Sequence, residues 1–328
     1  SVHLPPDPDL FILTCVIAVC TGRPVLITPR VDPACCAHHR AALQGVCEFT
    51  EEENGCFVRP RKDEVAGFIR LPRDFPYPDF SFMALCAGGK TVVGESFTED
   101  LIEHYVQWVR RFGIEATAHE HDGLWGLRFE SAGTFRAEEV DAGFDDIHAL
   151  AGLACGSGGS FSAKTGGQFN SPLRAVLPSF GFTLAVKNSR AAAVKDPLQR
   201  RIALMKARKK NPASDDAPLF MVTMEPLHRE QAQTAVSLPG DGMLAALWIG
   251  AKSLVQRGNL VIENVCFETW AAQTLALVRK MGCRVGAQET AKTTFGSCGA
   301  LQLQRFDLVG RKLDCRPLFQ YRHCVPVM

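Results

Sequence analysis

The sequence lacks the features that define membrane-spanning, secreted and strongly nucleic-acid-binding chains. Its longest apolar run, Phe11–Cys20, is far short of the roughly 20 residues that a membrane helix needs. The stretch before it carries Asp7 and Asp9 but no basic residue of the kind that opens a signal peptide. The 36 basic and 35 acidic residues leave a net charge of +1, which gives no overall attraction to nucleic acid or to an anionic membrane. We therefore expect a soluble protein with neither as a partner.

The sequence also lacks any Cys-x-x-Cys pair, which argues against a zinc knuckle or a thioredoxin-like redox pair. Its 13 cysteines are an odd number and are spread through apolar segments, where a reduced thiol packs like a small apolar side chain. This usage favours a cytoplasmic location. The one compact group of metal-ligand type is Cys35, Cys36, His38 and His39. Four ligands within five residues cannot surround one tetrahedral ion, so we expect an ordinary half-buried helix there, with no metal and no cofactor.

An internal repeat is the main feature that the sequence does contain. Gly45, Gly113 and Gly181 each follow an amphipathic segment and precede a β-rich run, and they are separated by 68 and 68 residues. Gly282 follows 101 residues later, as though one unit carried an insertion of about 33. Within each unit the order of signals is β-α-β-α-β-β. Because each helix has one apolar face, several units must pack their helices together and place their sheets outside them.

The segment 188–216 breaks this pattern. Between Arg190 and Lys210 it contains eight Lys or Arg residues against one acid. Three interpretations stay open: a solvated surface insertion, a patch for nucleic acid or another anionic partner, and a segment that closes over a negatively charged substrate.

Several stretches resemble the enolpyruvyl transferase family. They are Leu4–Pro5 with the apolar helix that follows, Thr21–Leu26, Leu238–Ala246, Asn259–Val265, Arg279–Cys283, and Gly299–Leu303 with Leu308–Gly310. The resemblance implies an α/β (α+β) fold of inside-out barrel lobes, each built from three β-α-β-α-β-β repeats. The pseudo-threefold first lobe would run over residues 9–217, with the basic insertion at 188–216. Residues 1–8 plus 218–328 would form a second, incomplete lobe, to which the chain returns near Ser237.

The resemblance also implies a reaction. The family transfers the enolpyruvyl group of phosphoenolpyruvate to a hydroxyl group, in the shikimate pathway of aromatic amino acid biosynthesis among others, through a tetrahedral intermediate and without a cofactor. We therefore expect a divergent enolpyruvyl transferase that acts on a small anionic, hydroxylated substrate in a cleft between the lobes. The alternative is a catalytically inactive relative, a binding or regulatory protein that uses the basic insertion for an anionic partner.

The candidate site follows from the helix starts, which the repeat would direct into one cleft. The family's Gly-x-Lys-Ser opening falls on Pro6–Asp9, and its Ser-Ser-Gln element on Asp145–His148, so carboxylates stand where the family has Lys and Ser. The expected catalytic residues are Asp9, Asp145, His148 and Asp241, and the expected substrate-binding residues are Asp7, Asp146 and Arg23. The alternative is structural: aspartates that cap helices and a histidine that belongs to the core.

Overall fold

The structure is a computed structural model that describes residues 1–61, 68–130, 134–166, 169, 171–188, 220–227, 234–254, 258–267, 279 and 282–306. The basic insertion lies outside these residues except for its first residue, Asn188. The motif at Leu308–Gly310 also lies outside them.

Seven helices and sixteen strands are described. The helices are α1 (Pro8–Thr21), α2 (Ala37–Leu43), α3 (Pro78–Ala87), α4 (Glu99–Arg110), α5 (Phe144–Ser157), α6 (Leu173–Val176) and α7 (Gly242–Leu254), with 3-10 helices at Pro33–Cys36 and Leu177–Phe180. The strands are β1 (Val2–His3), β2 (Val25–Thr28), β3 (Cys47–Glu52), β4 (Gly55–Pro60), β5 (Phe68–Leu71), β6 (Thr91–Gly94), β7 (Ala116–His121), β8 (Leu124–Phe129), β9 (Arg136–Asp141), β10 (Ser160–Thr165), β11 (Phe182–Asn188), β12 (Phe220–Pro226), β13 (Thr234–Ser237), β14 (Leu260–Cys266), β15 (Cys283–Thr293) and β16 (Gly296–Phe306).

The strands form four sheets of four strands with one shared topology. The orders are β13-β2-β4-β3, β5-β6-β8-β7, β9-β10-β12-β11 and β1-β14-β16-β15. In every sheet the first two strands are parallel and the other two form an antiparallel hairpin. The predicted β-α-β-α-β-β unit is therefore confirmed in the first three units. The fourth sheet has the same strand topology, and the second helix predicted for its unit, at 270–281, lies outside the described residues except for residue 279.

The chain exchanges strands between its first three units and its fourth. The leading strand of the first sheet is β13, which pairs with β2, whereas β1 pairs with β14 of the fourth unit. The strand β12, which starts at Phe220, pairs with β10 and β11 of the third unit. The sheets of the first three units thus include strands as far as Ser237, whereas the predicted first lobe ends at residue 217. Asn188 of β11 pairs with Phe220 of β12. The basic insertion therefore falls, in the sequence, between the two strands of an antiparallel hairpin.

The inner helices of the three units, α1, α3 and α5, pack side by side in parallel. A Cβ atom added at Gly152 of α5 would collide with Phe80 of α3, and one added at Gly156 would collide with Ala84 and Ala87. Both contacts advance in the same direction along the two helices, which therefore run parallel. Because α1 and α3 also meet at both ends, through Tyr77 beside Asp7 and Gly88 beside Cys20, all three helices begin at one end of the bundle.

The repeat glycines occupy equivalent places. Gly45, Gly113 and Gly181 each precede an edge strand, respectively β3, β7 and β11. Gly113 and Gly181 have the positive φ values of +74° and +86° that the sequence predicts at a helix end. Gly45 has no such positive φ. The helix α2 ends at Leu43, and the next residue, Gln44, still has right-handed helical backbone angles.

The fourth unit has a separate, smaller core. Leu4, Ala246, Ile262 and Leu301 are among its buried side chains. The helix α7 exposes a row of apolar side chains on its other face: Met243, Leu247 and Trp248. Its equivalent in the first unit, α1, is buried over most of its length. Among the described residues, no helix is both long and apolar enough to cross a membrane.

Candidate functional site

Two chain crossings bring the starts of α1 and α7 together. The backbone N–H of Asp7 donates to the carbonyl of Pro239 at 3.0 Å, and the N–H of Asp241 donates to the carbonyl of Pro5 at 2.8 Å. Between them Pro6 and Gly240 form an antiparallel bridge. The crossing segments therefore fix two helix N-termini side by side, at the point where the chain passes between the two cores.

Two aspartates cap these helices. The Asp7 Oδ1 atom accepts hydrogen bonds from the backbone N–H groups of Asp9 at 3.0 Å and Leu10 at 3.1 Å, and its Oδ2 accepts one from Gly242 of α7 at 3.5 Å. Asp241 Oδ1 accepts from Met243 at 2.8 Å and from the next residue at 3.1 Å. Both residues do what the structural alternative predicts. Asp7 does more than cap α1, because its carboxyl group also bonds to the first residue of α7.

The electrostatics of this position shift the proton affinity of Asp7. Burial, and then the negative charges of Asp9 and Asp241, raise the pKa of the Asp7 carboxyl to about 7, while the N–H groups of Leu10 and Gly242 offset part of this effect. The pKa of Asp9 is raised as well, by burial first and then by Asp241 and Asp74. At neutral pH the Asp7 carboxyl is therefore divided between its acid and its base form.

Tyr77 completes this group, and the sequence did not point to it. Burial, followed by the charges of Asp7 and Asp9, raises the pKa of its hydroxyl well above the ordinary value, which keeps the phenol protonated. Its backbone is left-handed, with φ +49°, at the start of α3, and it makes no side-chain cap. Such a conformation is uncommon for an aromatic residue and is found disproportionately at functional sites. We call Asp7, Asp9, Tyr77 and Asp241 the Asp7 cluster.

A second acidic group lies at the same end of the bundle. The Tyr105 hydroxyl donates to Asp79 Oδ1 at 2.9 Å, and its pKa is raised by burial, by Asp79 and then by Asp145 and Asp146. Asp146 also accepts a hydrogen bond from the backbone N–H of Gly143 at 2.9 Å, which caps α5. The predicted residues Asp145 and Asp146 thus lie in the first turn of α5, where their charges act on Tyr105.

The two remaining predicted residues lie elsewhere. His148 is buried, with its Nε2 atom 3.0 Å from Ser171 Oγ and its ring beside Phe169. This is the environment of a core histidine. Arg23 follows α1 at the end opposite Asp7, and its guanidinium packs on Gly181. Of the seven predicted residues, the structure brings Asp7, Asp9 and Asp241 into one cluster.

The four repeated sheets around parallel inner helices define the fold of the enolpyruvyl transferases. Two solved structures of EPSP synthase from Acinetobacter baumannii share it, both with a TM-score of 0.58 and 10% sequence identity; they cover 99% and 100% of this chain, and the chain covers 67% and 69% of theirs. The enolpyruvyl transferase NikO from Streptomyces tendae matches with a TM-score of 0.56 and 14% identity, over 93% of this chain and 65% of its own.

These likenesses confirm the predicted fold. The chain spans about two thirds of the length of the solved structures that it matches. No protein-family model matches it, and no curated protein does. The likeness is therefore one of fold, shown by the shared arrangement of sheets and helices.

Proposed function

We propose that the chain is an enzyme that transfers an enolpyruvyl group to a hydroxyl of a small anionic substrate at the Asp7 cluster. The observation that carries the proposal is the Asp7 carboxyl, whose pKa is raised to about 7 at the junction of α1 and α7. An acid–base group is most effective when its pKa lies near the working pH. An aspartate that only caps a helix does not need a pKa near neutrality.

The proposed reaction needs two proton transfers that the cluster is equipped to make. In the first step the acceptor hydroxyl attacks C2 of phosphoenolpyruvate while C3 takes a proton from the neutral carboxyl of Asp7, and the hydroxyl proton passes to the carboxylate of Asp9. In the second step the bond between C2 and the phosphate oxygen breaks, the leaving phosphate takes the proton from Asp9, and C3 returns its proton to Asp7. The products are the enolpyruvyl ether and inorganic phosphate, and both Asp7 and Asp9 end as they began.

Two features support a place for an anionic group beside these carboxyls. The N-cap residue of α3, Tyr77, makes no side-chain cap. The partial positive charge of this helix start is offset by one first-turn carboxylate, Asp79, without the additional capping carboxylate that α1 and α7 have. The Tyr77 hydroxyl, kept protonated by its surroundings, supplies a hydrogen-bond donor. This arrangement replaces the lysine that the family pattern has at Pro6–Asp9 with a helix terminus and a phenol.

The test is release of inorganic phosphate from phosphoenolpyruvate by the purified chain, with a panel of hydroxylated acceptors that includes shikimate 3-phosphate. We expect acceptor-dependent release that is lost in Asp7→Asn, because the amide cannot exchange a proton in this pH range. The matched control is Asp32→Asn, since Asp32 also caps a helix, the 3-10 helix at Pro33–Cys36, through a bond to Ala34 N–H at 3.0 Å.

Calorimetry with phosphoenolpyruvate separates this function from the non-catalytic alternative. If the chain neither binds phosphoenolpyruvate nor releases phosphate from it, the transferase proposal is overturned. If the Asp7→Asn variant turns phosphoenolpyruvate over as fast as the unaltered chain, the role given to Asp7 is wrong.

A further inference from the structure

A second cluster of polar side chains lies next to the Asp7 cluster, on the first turn of α2 and the loop that precedes α3. His38 Nε2 is 3.2 and 3.1 Å from the two carboxylate oxygens of Asp74, and His39 Nε2 is 3.5 Å from Asp74 Oδ1. One ligand atom from each of the three residues lies within 4.8 Å of the others. Asp74 follows His38 by 36 residues and His39 by 35 in the sequence, so the fold brings the three side chains together.

His39 is the unusual member of this group. Its side chain is 8% exposed, and its Nε2 atom is buried without a hydrogen-bond partner. The ring is held edge-on against Phe75, with 5.4 Å between ring centroids. A buried polar atom that makes no hydrogen bond is destabilising, and native proteins rarely keep one without a reason.

The spacing of the three ligand atoms suits a metal ion. For metal–ligand bonds of about 2.0–2.1 Å, tetrahedral geometry separates neighbouring ligand atoms by roughly 3.3 Å. The observed separations from Asp74 to the two histidines, 3.1 to 3.5 Å, bracket this value. An ion pair joins His38 to Asp74 at 3.1–3.2 Å, whereas His39 Nε2 approaches Asp74 Oδ1 only to 3.5 Å and makes no hydrogen bond there. A shared cation would be ligated by all three side chains.

We propose that His38, His39 and Asp74 form a binding site for a divalent ion of the zinc class. Two histidines and one carboxylate are a ligand set that binds Zn²⁺ with a fourth position left for water or substrate. The ion would lie beside the Asp7 cluster, since the charge of Asp74 acts on Asp9.

The site differs from the one that the sequence offers. The local group there paired His38 and His39 with Cys35 and Cys36, but in the structure Cys35 is exposed and Cys36 is buried in the main core. Asp74 replaces them as the third ligand. The inference does not depend on the transferase proposal, because it rests on a different set of side chains.

Calorimetric titration of the purified chain with Zn²⁺ tests the inference. We expect one equivalent to bind, and binding to weaken at least about tenfold in Asp74→Asn and in His38→Ala, as loss of even an outer-shell partner weakens metal sites by 10–100-fold. Both substituted side chains are more than half exposed, so the variants keep the core. The control is His121→Ala, because His121 also faces an aspartate, Asp122, at 3.5 Å but belongs to no three-ligand group of the described residues.

Co²⁺ substitution identifies the ligands. Tetrahedral nitrogen and oxygen ligation gives visible absorption bands without a thiolate charge-transfer band in the near ultraviolet. The proposal is overturned if Zn²⁺ does not bind, if Asp74→Asn and His38→Ala bind it as the unaltered chain does, or if a thiolate band appears and is lost in Cys35→Ser. Loss of binding in the two variants with retention in His121→Ala supports it.

Discussion

Replacement of Asp7 by Asn should change how the stability of the protein depends on pH. In the folded chain the pKa of Asp7 is raised from 3.8 to about 7. Between these values the folded state holds a proton that the unfolded state has lost. The free energy of unfolding of the unaltered chain therefore falls as pH rises through this window, and the loss is complete above pH 7.

The size of the effect follows from the shift. At 1.36 kcal/mol for each pKa unit, the rise corresponds to about 4 kcal/mol at most. Solvent screening at this half-buried carboxyl reduces that figure to about 2–3 kcal/mol. An asparagine still accepts the hydrogen bonds from Asp9 and Leu10 that cap α1, but it has no charge to bury.

The assay is urea unfolding of the unaltered chain and Asp7→Asn at pH 4.5 and pH 8.5, followed by circular dichroism. At pH 4.5 the two should agree within about 1 kcal/mol, whereas at pH 8.5 the variant should be more stable by about 2–3 kcal/mol. Taking the difference between variant and parent cancels the other titrating groups. The burial of a charge at Asp7 would be refuted if Asp7→Asn were no more stable than the unaltered chain at pH 8.5 and had the same pH profile as the control Asp32→Asn.

Three further outcomes are expected from the same unfolding assay. Gly156→Ala should cost about 1–3 kcal/mol because the added methyl collides with the backbone of α3, while Gly166→Ala, with nothing within 4 Å, should change little. Asp241→Ala should cost about 1 kcal/mol through loss of the α7 cap, and Asp241→Asn less; equal costs would contradict the capping role. Tyr105→Phe should cost about 1 kcal/mol through loss of the bond to Asp79, and no loss would show that this pair is not formed.

The repeated unit could be predicted from the sequence because its signals are local. An apolar run, a glycine and a β-rich run each leave their own periodicity in the chain. Gly22 and Pro24 predict that a strand starts at Val25, and the observed strand is Val25–Thr28. The sequence at 169–180 predicts a single helix, but the structure has a short α6 followed by a 3-10 helix, because Pro178 cannot donate the hydrogen bond that would continue an α-helix.

The exchange of strands could not be predicted from local patterns. The alternation of polar and apolar residues in β13 would be the same whether it paired with β2 or with a later strand. Its partner strand is therefore set by the tertiary fold and not by its own sequence. Tyr77 and Asp74 were missed for a similar reason. They lie in the loop between β5 and α3, and only the parallel packing of α1 and α3 brings this loop beside Asp7.

The negative charge of the Asp7 cluster connects the two proposals. Three carboxylates at one point would repel an anionic substrate, and no helix terminus offsets a full charge, since each supplies about half a unit. Protonation of Asp7 near pH 7 removes one negative charge, and a divalent ion on Asp74 would add two positive ones next to Asp9. On these two proposals, protonation of Asp7 or a divalent ion at Asp74 would let the Asp7 cluster receive an anion without the lysine that the family pattern contains.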